Sequence, residues 1–378
     1  MEEKKVREKT RFWKRIVIVV LVFAIISGVG VYAFRHMEYD YAQIVKTYES
    51  KGTNNGNYIL YADGILEYSK DGIAMLTEEG EEVWNQPCQI SSPMAEVCKD
   101  TAVVADKGGT SIYVFQKNGL KGEIQTTRPI EKISVSAQGI VAAILQDEET
   151  PRVMCYDAKG NILVEHKASM KNTGYPVDLA LSQNGEVLMV SYLCSKGNSV
   201  VTKVSFYYFG EDGQDKKHHQ VMQEEYTDTV APVAVFLNQK TSLLVTDCAL
   251  VFYEGLKEPQ EVMTVKIDKE IESVAYNDKY IALVLKSSGK IGYELRLYQI
   301  NGKQKMSVQL DSEYSNVKIA KGQVLLNEGN KCAIYNTVGV CRFSGTLEMS
   351  VMDIYPMSGV NKYMVINANG FQEVQLAK

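Results

Sequence analysis

An aromatic or leucine turn closing on glycine recurs along this chain at a spacing in the low forties. Between the turns lie short Val-, Ile- and Tyr-rich runs, and the N-terminus carries one uncharged apolar stretch. Together these predict an all-β fold: a β-propeller of eight, alternatively seven, four-stranded blades, preceded by one N-terminal transmembrane helix. The expected order is a basic cytoplasmic tail at 1–15, a transmembrane signal-anchor helix at 16–34, a stalk and linker at 35–56, and an extracytoplasmic propeller at 57–378.

Residues 1–15 hold seven Lys/Arg against three Glu, a net of +4, and residues 16–34 hold no charge, which leaves −9 for the remainder of a chain totalling −5. That balance excludes a basic nucleic-acid binder. The run 16–34, IVIVVLVFAIISGVGVYAF, would make a helix of about 28 Å, close to the hydrocarbon thickness of a bilayer. In lipid, a helix lets one segment satisfy all its own backbone hydrogen bonds. Trp13 and Tyr32 stand at its two edges. Lys4, Lys5, Arg7, Lys9, Arg11, Lys14 and Arg15 precede it, and only Arg35, Lys46 and Lys51 follow within a comparable stretch, so the N-terminus is expected in the cytoplasm and the C-terminal domain outside. Val31 and Ala33 would suit a signal peptidase, but 19 uninterrupted residues exceed the apolar core of about 7 to 15 found in cleaved signals. The lipid bilayer is therefore the expected partner of residues 16–34.

Over 35–50, the spacing of Tyr41, Ile44, Val45 and Tyr48 predicts a short stalk helix, ended by the turn-rich Lys51-Gly-Thr-Asn-Asn-Gly56. From residue 57 the period of 3.6 disappears. Leu76-Thr-Glu-Glu-Gly80, Phe115-Gln-Lys-Asn-Gly119, Tyr156-Asp-Ala-Lys-Gly160, Tyr298-Gln-Ile-Asn-Gly302 and Tyr335-Asn-Thr-Val-Gly339 share one spacing, and Tyr208 to Gly213 and Tyr253 to Gly255 are longer and shorter versions. Each unit also contains a half-apolar inner strand followed by a wholly apolar one, as in Val177-Asp-Leu-Ala-Leu-Ser and Val187-Leu-Met-Val-Ser-Tyr192, the pattern of sheets stacked face to face. The 322 residues from 57 onward hold eight blades of about 40, or seven with long loops. The C-terminal piece supplies only three strands, and closure of the ring is expected from 57–62 as the missing outer strand.

Leu76-Thr-Glu-Glu-Gly-Glu-Glu-Val-Trp84 resembles the repeat of pyrroloquinoline-quinone-type propellers, whose blade-closing turn reads D-x-x-G-x-x-x-W, and Tyr156-Asp-Ala-Lys-Gly160 is a partial copy. The other blades lack the tryptophan. Over nearly its full length the chain is similar to an uncharacterised family of single-pass, membrane-anchored WD40-like or PQQ-quinoprotein-like propellers of Gram-positive anaerobes. The resemblance implies an architecture and carries over no catalytic residues.

No catalytic, cofactor-binding or metal-binding residues are expected, and no cofactor. A quinone site needs a stacking Trp, a Ca²⁺ held by carboxylates and a catalytic Asp, whereas Trp84 is the sole Trp after the anchor and belongs between blades. His218 and His219 are adjacent and would point to opposite faces of a strand, and Glu211, Asp212 and Asp215 lack the register of a calcium loop. Seven cysteines show no C-x-x-C spacing; most read as small buried hydrophobes, free thiols point to a reducing habitat, and Cys332 with Cys341 is one candidate disulfide across a hairpin. Phe206-Tyr207-Tyr208-Phe209 reads as core packing or, alternatively, as a recognition surface. The expected function is a non-catalytic binding or scaffold module presenting a loop face to an envelope protein, peptide or polymer. The alternative is an envelope enzyme with a funnel site. Signal transmission is disfavoured by so short a tail.

Overall fold

A computed structural model describes residues 36–49, 56–147, 150–170, 172–210, 219–286 and 292–378, together with scattered positions between 13 and 33. Among the described residues, thirty-two strands form eight four-stranded antiparallel sheets. Seven sheets are contiguous in sequence: blade 1 spans 57–87, blade 2 93–125, blade 3 130–167, blade 4 175–227, blade 5 233–266, blade 6 270–310 and blade 7 316–346. In each, the strands lie in chain order from the inner strand to the outer one. Eight blades, rather than seven, is the outcome.

Blade 8 is composite. Its three C-terminal strands, Asp353–Pro356, Lys362–Asn367 and Gly370–Ala377, are completed by Tyr41–Glu49, which pairs antiparallel with the last of them from Tyr41↔Ala377 to Glu49↔Gly370. This corrects two expectations. The predicted stalk helix is the outer strand that closes the ring, and Asn57–Tyr61, expected in that role, is the inner strand of blade 1. A register shift between Ile44 and Lys46 explains the misreading. A bulge inserts one residue and reverses the alternation of faces. Ala42 consequently joins the apolar layer against blade 7, and Tyr48 the layer against blade 1. Alternation interrupted by one residue leaves apolar spacings of three, one and three, which imitate a helix.

The core is a ring of layers rather than a central mass. Among the described residues, eight apolar clusters are found, one at each junction between neighbouring blades. The second strands, covered on both faces, are the most completely buried: Val141–Leu145 has no exposed surface at any position. Burying such a side chain contributes about 1.5–3 kcal/mol, so each layer is held by several strong contacts. Phe206 and Tyr208 pack toward blade 5, and Tyr207 packs toward blade 3, which settles that aromatic run as core.

The glycine turns key one blade to the next. The described members, Gly80, Gly119, Gly160, Gly255, Gly302 and Gly339, all have φ between +73° and +120°, a region other residues enter only with strain. Each leads into an outer strand. At Gly122 the next blade's turn approaches so closely that a Cβ would stand 1.8 Å from the Ala158 carbonyl oxygen. Trp84 occupies the corresponding gap between blades 1 and 2, as its position in the repeat suggests. Its indole stacks on Phe115 with centroids 5.0 Å apart, and Nε1 donates to the Lys117 carbonyl oxygen at 3.1 Å.

Residues 16–34 are only partly described. Ile18, Val20 to Phe23, Ile25 to Gly30, Tyr32 and Ala33 are helical, and among the described residues no helix is long and apolar enough to cross a membrane. The basic tail apart from Trp13, the Lys51 to Asn55 turn, Glu211, Asp212, Asp215 and His218 lie outside the described residues. Cys332 and Cys341 are both free thiols, which overturns the candidate disulfide. Across their hairpin, Cys332 faces Gly345 and Cys341 faces Tyr335, so neither opposes the other.

Candidate functional site

Because inner strands from different blades converge on the propeller axis, residues far apart in sequence share one wall. Inner strands of blades 2 to 6 enclose a cavity of about 550 Å³, a volume typical of ligand pockets. Its polar groups include Glu96 from blade 2, Lys132 from blade 3, Asp178 from blade 4 and Tyr276 from blade 6. Lys99, Gln183, Asn277 and Asp278, on the turns that follow the inner strands, line it as well.

Asp178 is fully engaged. Its Oδ1 lies 3.5 Å from Lys132 Nζ, and Oδ2 accepts the Ala234 backbone N–H of blade 5 at 2.8 Å. Burial raises its pKa while these two donors pull it down, with a net shift upward. Glu96 differs. Among the described residues nothing donates a hydrogen bond to its carboxylate and no cation pairs with it. Enclosure by the channel pushes its pKa up to about 7, the Asp178 charge adds to this, and Lys132 opposes it. The side chain is nevertheless open to channel water, so the shift reflects a narrow protein-walled space rather than dry contact. Tyr276 is 39% exposed; enclosure, then the charges of Glu96 and Asp178, holds its hydroxyl well above the usual tyrosine range.

Inner strands of blades 7, 8 and 1 close the ring with a second polar group. Lys318 pairs with Asp353, and its Nζ lies 4.3 Å from the centre of the Tyr355 ring. The Tyr355 hydroxyl accepts from Lys318 Nζ at 2.6 Å and lies 2.6 Å from Asp353 Oδ2 and 3.0 Å from the Tyr58 carbonyl oxygen. Burial lowers the Lys318 pKa, Asp353 counteracting it. Burial, followed by the charges of Glu96 and Asp353, raises that of Tyr68. The chemistry available along the axis is thus recognition by charge and aromatic surface, with the Glu96 carboxylate unclaimed.

Sequence reading did not find this cavity. Its lining comes from five separate blades, and each polar member resembles an ordinary polar residue of a half-apolar strand. The features it did weigh sit elsewhere. His219 lies beside Phe209, ring centroids 5.8 Å apart, and Trp84 lies between blades. No group of three or more His, Cys, Asp or Glu able to hold a metal is found among the described residues. Two other hollows exist: a groove of about 430 Å³ at the rim between blades 7 and 8, touching Tyr41, Ile44 and Leu347, and an open depression by Arg128, Met170 and Tyr175.

Eight four-stranded blades around a lined axial cavity define a β-propeller protein. The chain belongs to a family of unknown function, DUF5711, whose model matches residues 35–376. No curated protein matches it in sequence. Among solved structures, it is similar to BamB from Moraxella catarrhalis, with 9% identity and a TM-score of 0.54 over 88% of this chain and 99% of that one. It is also similar to Sqt1 from Saccharomyces cerevisiae, with 12% identity and a TM-score of 0.53 over 91% and 99%. The expected likeness to WD40-like and PQQ-like propellers therefore holds at the level of fold.

Proposed function

We propose that the protein is a membrane-anchored, extracytoplasmic propeller acting as a non-catalytic binding or scaffold module for an envelope protein or peptide. The observation that carries the binding reading is the axial cavity, to which five blades contribute and in which Glu96 is left without a partner. The anchoring reading is supported by the apolar run 16–34, whose described residues are helical and uncovered, Phe23 being 72% and Ile26 64% exposed. Side chains of that kind need a hydrophobic surrounding, and lipid supplies one. The seven basic residues before it support a cytoplasmic N-terminus.

The antiparallel order sets the direction of approach. The closing strand begins, and the last strand ends, at the face that carries each blade's inner-to-second and third-to-outer turns. Only residues 35–40 separate the apolar run from Tyr41, a reach of at most about 25 Å from residue 34 to residue 41. That face is turned toward the bilayer in this reading.

Two measurements test it. A reporter fused after Lys378 should be active only outside the cytoplasm, and activity inside would overturn the orientation. Tyr276→benzoylphenylalanine, irradiated in intact cells, should yield one stoichiometric protein adduct, while the same probe at the outward-facing Ile162 should not. Purification of the chain with a bound quinone or metal would replace this reading with the enzymatic one.

A further inference from the structure

We propose that the axial cavity takes a cationic side chain, the ammonium of a lysine or the guanidinium of an arginine carried by a partner segment, with Glu96 as counter-ion and Tyr276 as aromatic wall. The inference deepens the binding-module reading and rests on it.

Of the three carboxylates lining the cavity, the two on its strand walls, Asp178 and Glu96, differ in standing, and Asp278 lies on the turn after the blade 6 inner strand. Asp178 already has its cation, Lys132, and its backbone donor, Ala234. Glu96 has neither, in the same enclosure. A carboxylate in a narrow protein-walled channel, with no donor of its own, gains from an incoming cation that pairs with it. Its elevated pKa reports the same imbalance of field. Tyr276 presents exposed ring surface in the same cavity and lies within the field of both carboxylates. A ring face attracts cations. Val97, Val235 and Val274 supply apolar wall for the methylene stem of such a side chain. An anion entering the same space would meet three carboxylates, Glu96, Asp178 and Asp278, with Lys132 already claimed and Lys99 on the turn at its end.

The full chain in detergent, titrated calorimetrically with tetralysine, should show saturable 1:1 binding that its fully acetylated form and tetraglutamate lack. Glu96→Gln should weaken binding about tenfold or more, and Tyr276→Leu about threefold or more. With Glu96 titrating near 7, its ionised fraction falls about tenfold between pH 8 and pH 6, and affinity should fall by the same factor in the wild type and stay flat in Glu96→Gln. Retention of the wild-type melting temperature by Glu96→Gln shows that it is folded. Equal affinity of wild type and Glu96→Gln, a flat pH profile, equal binding of tetraglutamate, or no saturable binding would each overturn the proposal. The photo-adduct experiment separates the two levels: an adduct at Tyr276 with a partner whose cross-linked segment lacks Lys and Arg would keep the binding module and sink the cationic ligand.

Discussion

Glu294 should be the acid-sensitive point of the propeller. It lies in the third strand of blade 6, Tyr293–Gln299, and is 4% exposed. Its Oε1 accepts from Arg296 Nε and Ser307 Oγ, both at 2.6 Å, and Oε2 from Lys269 Nζ at 2.6 Å and Arg296 Nη2 at 3.1 Å. Burial alone would raise its pKa, but these donors outweigh it and hold the carboxyl at about 2, against an ordinary value of 4.5. A displacement of about 2.5 units corresponds to about 3.4 kcal/mol. The site is covered by contacts yet shallow, so solvent screening reduces this to about 2 kcal/mol. Because the folded-state value is depressed, the stability is present in full above pH 4.5 and is lost as pH falls through about 2. Glu294→Gln should therefore lower the urea-unfolding free energy by about 2 kcal/mol at pH 7 and match the wild type near pH 2. A gap of the same size at both pH values would refute the reasoning, because it would mean the residue contributes packing rather than charge.

Glu96→Gln should act in the opposite sense. A carboxyl raised to about 7 costs the folded state increasing stability as pH rises from the unfolded value toward 7, so the variant should melt at or above the wild type at pH 8 and equal it at pH 4; a lower melting temperature at pH 8 would contradict the assignment. Trp84→Ala removes a stacking partner and a hydrogen bond from the junction of blades 1 and 2 and should cost about 2–3 kcal/mol by chemical denaturation; a loss under about 0.5 kcal/mol would show that the junction does not depend on it. Asp353→Ala leaves the half-buried Lys318 without its counter-ion and should cost about 2 kcal/mol, whereas Lys318→Met together with Asp353→Leu should recover most of it; equal losses in both would refute the ion-pair account. Cys248, the exposed thiol on the turn before Ala249–Glu254, should react with an impermeant maleimide in intact cells, and labelling only after lysis would oppose the proposed orientation.

The blade count was legible because the turns that key blades together demand glycine at a fixed place, and glycine at positive φ leaves a mark in sequence. Inner and second strands were legible for a related reason, since burial on one face or two dictates alternating or continuous apolarity. The closing strand was not: its bulge reverses the faces midway, and its partner lies more than 320 residues away at Gly370–Ala377. The cavity was hidden by the same geometry. Glu96, Lys132, Asp178 and Tyr276 meet only because closing the ring brings four inner strands to one axis, and nothing local to any of them announces the others. The free Cys332 and Cys341 illustrate a narrower limit, for the turn places Tyr335 opposite Cys341, three positions from Cys332, and the spacing of the two cysteines alone does not reveal where the turn falls.

The clasp in blade 8 also decides how the molecule bears load. Tyr41 pairs with Ala377, so the first residue of the closing strand and the end of the chain leave from the same edge of the sheet. Tension applied between the N-terminal segment and the C-terminus peels the two strands apart one rung at a time, beginning at that pair, instead of shearing all rungs together. The ring is thus mechanically weakest where the chain enters it, and a steady pull would open blade 8 while the seven contiguous blades kept their own strands paired.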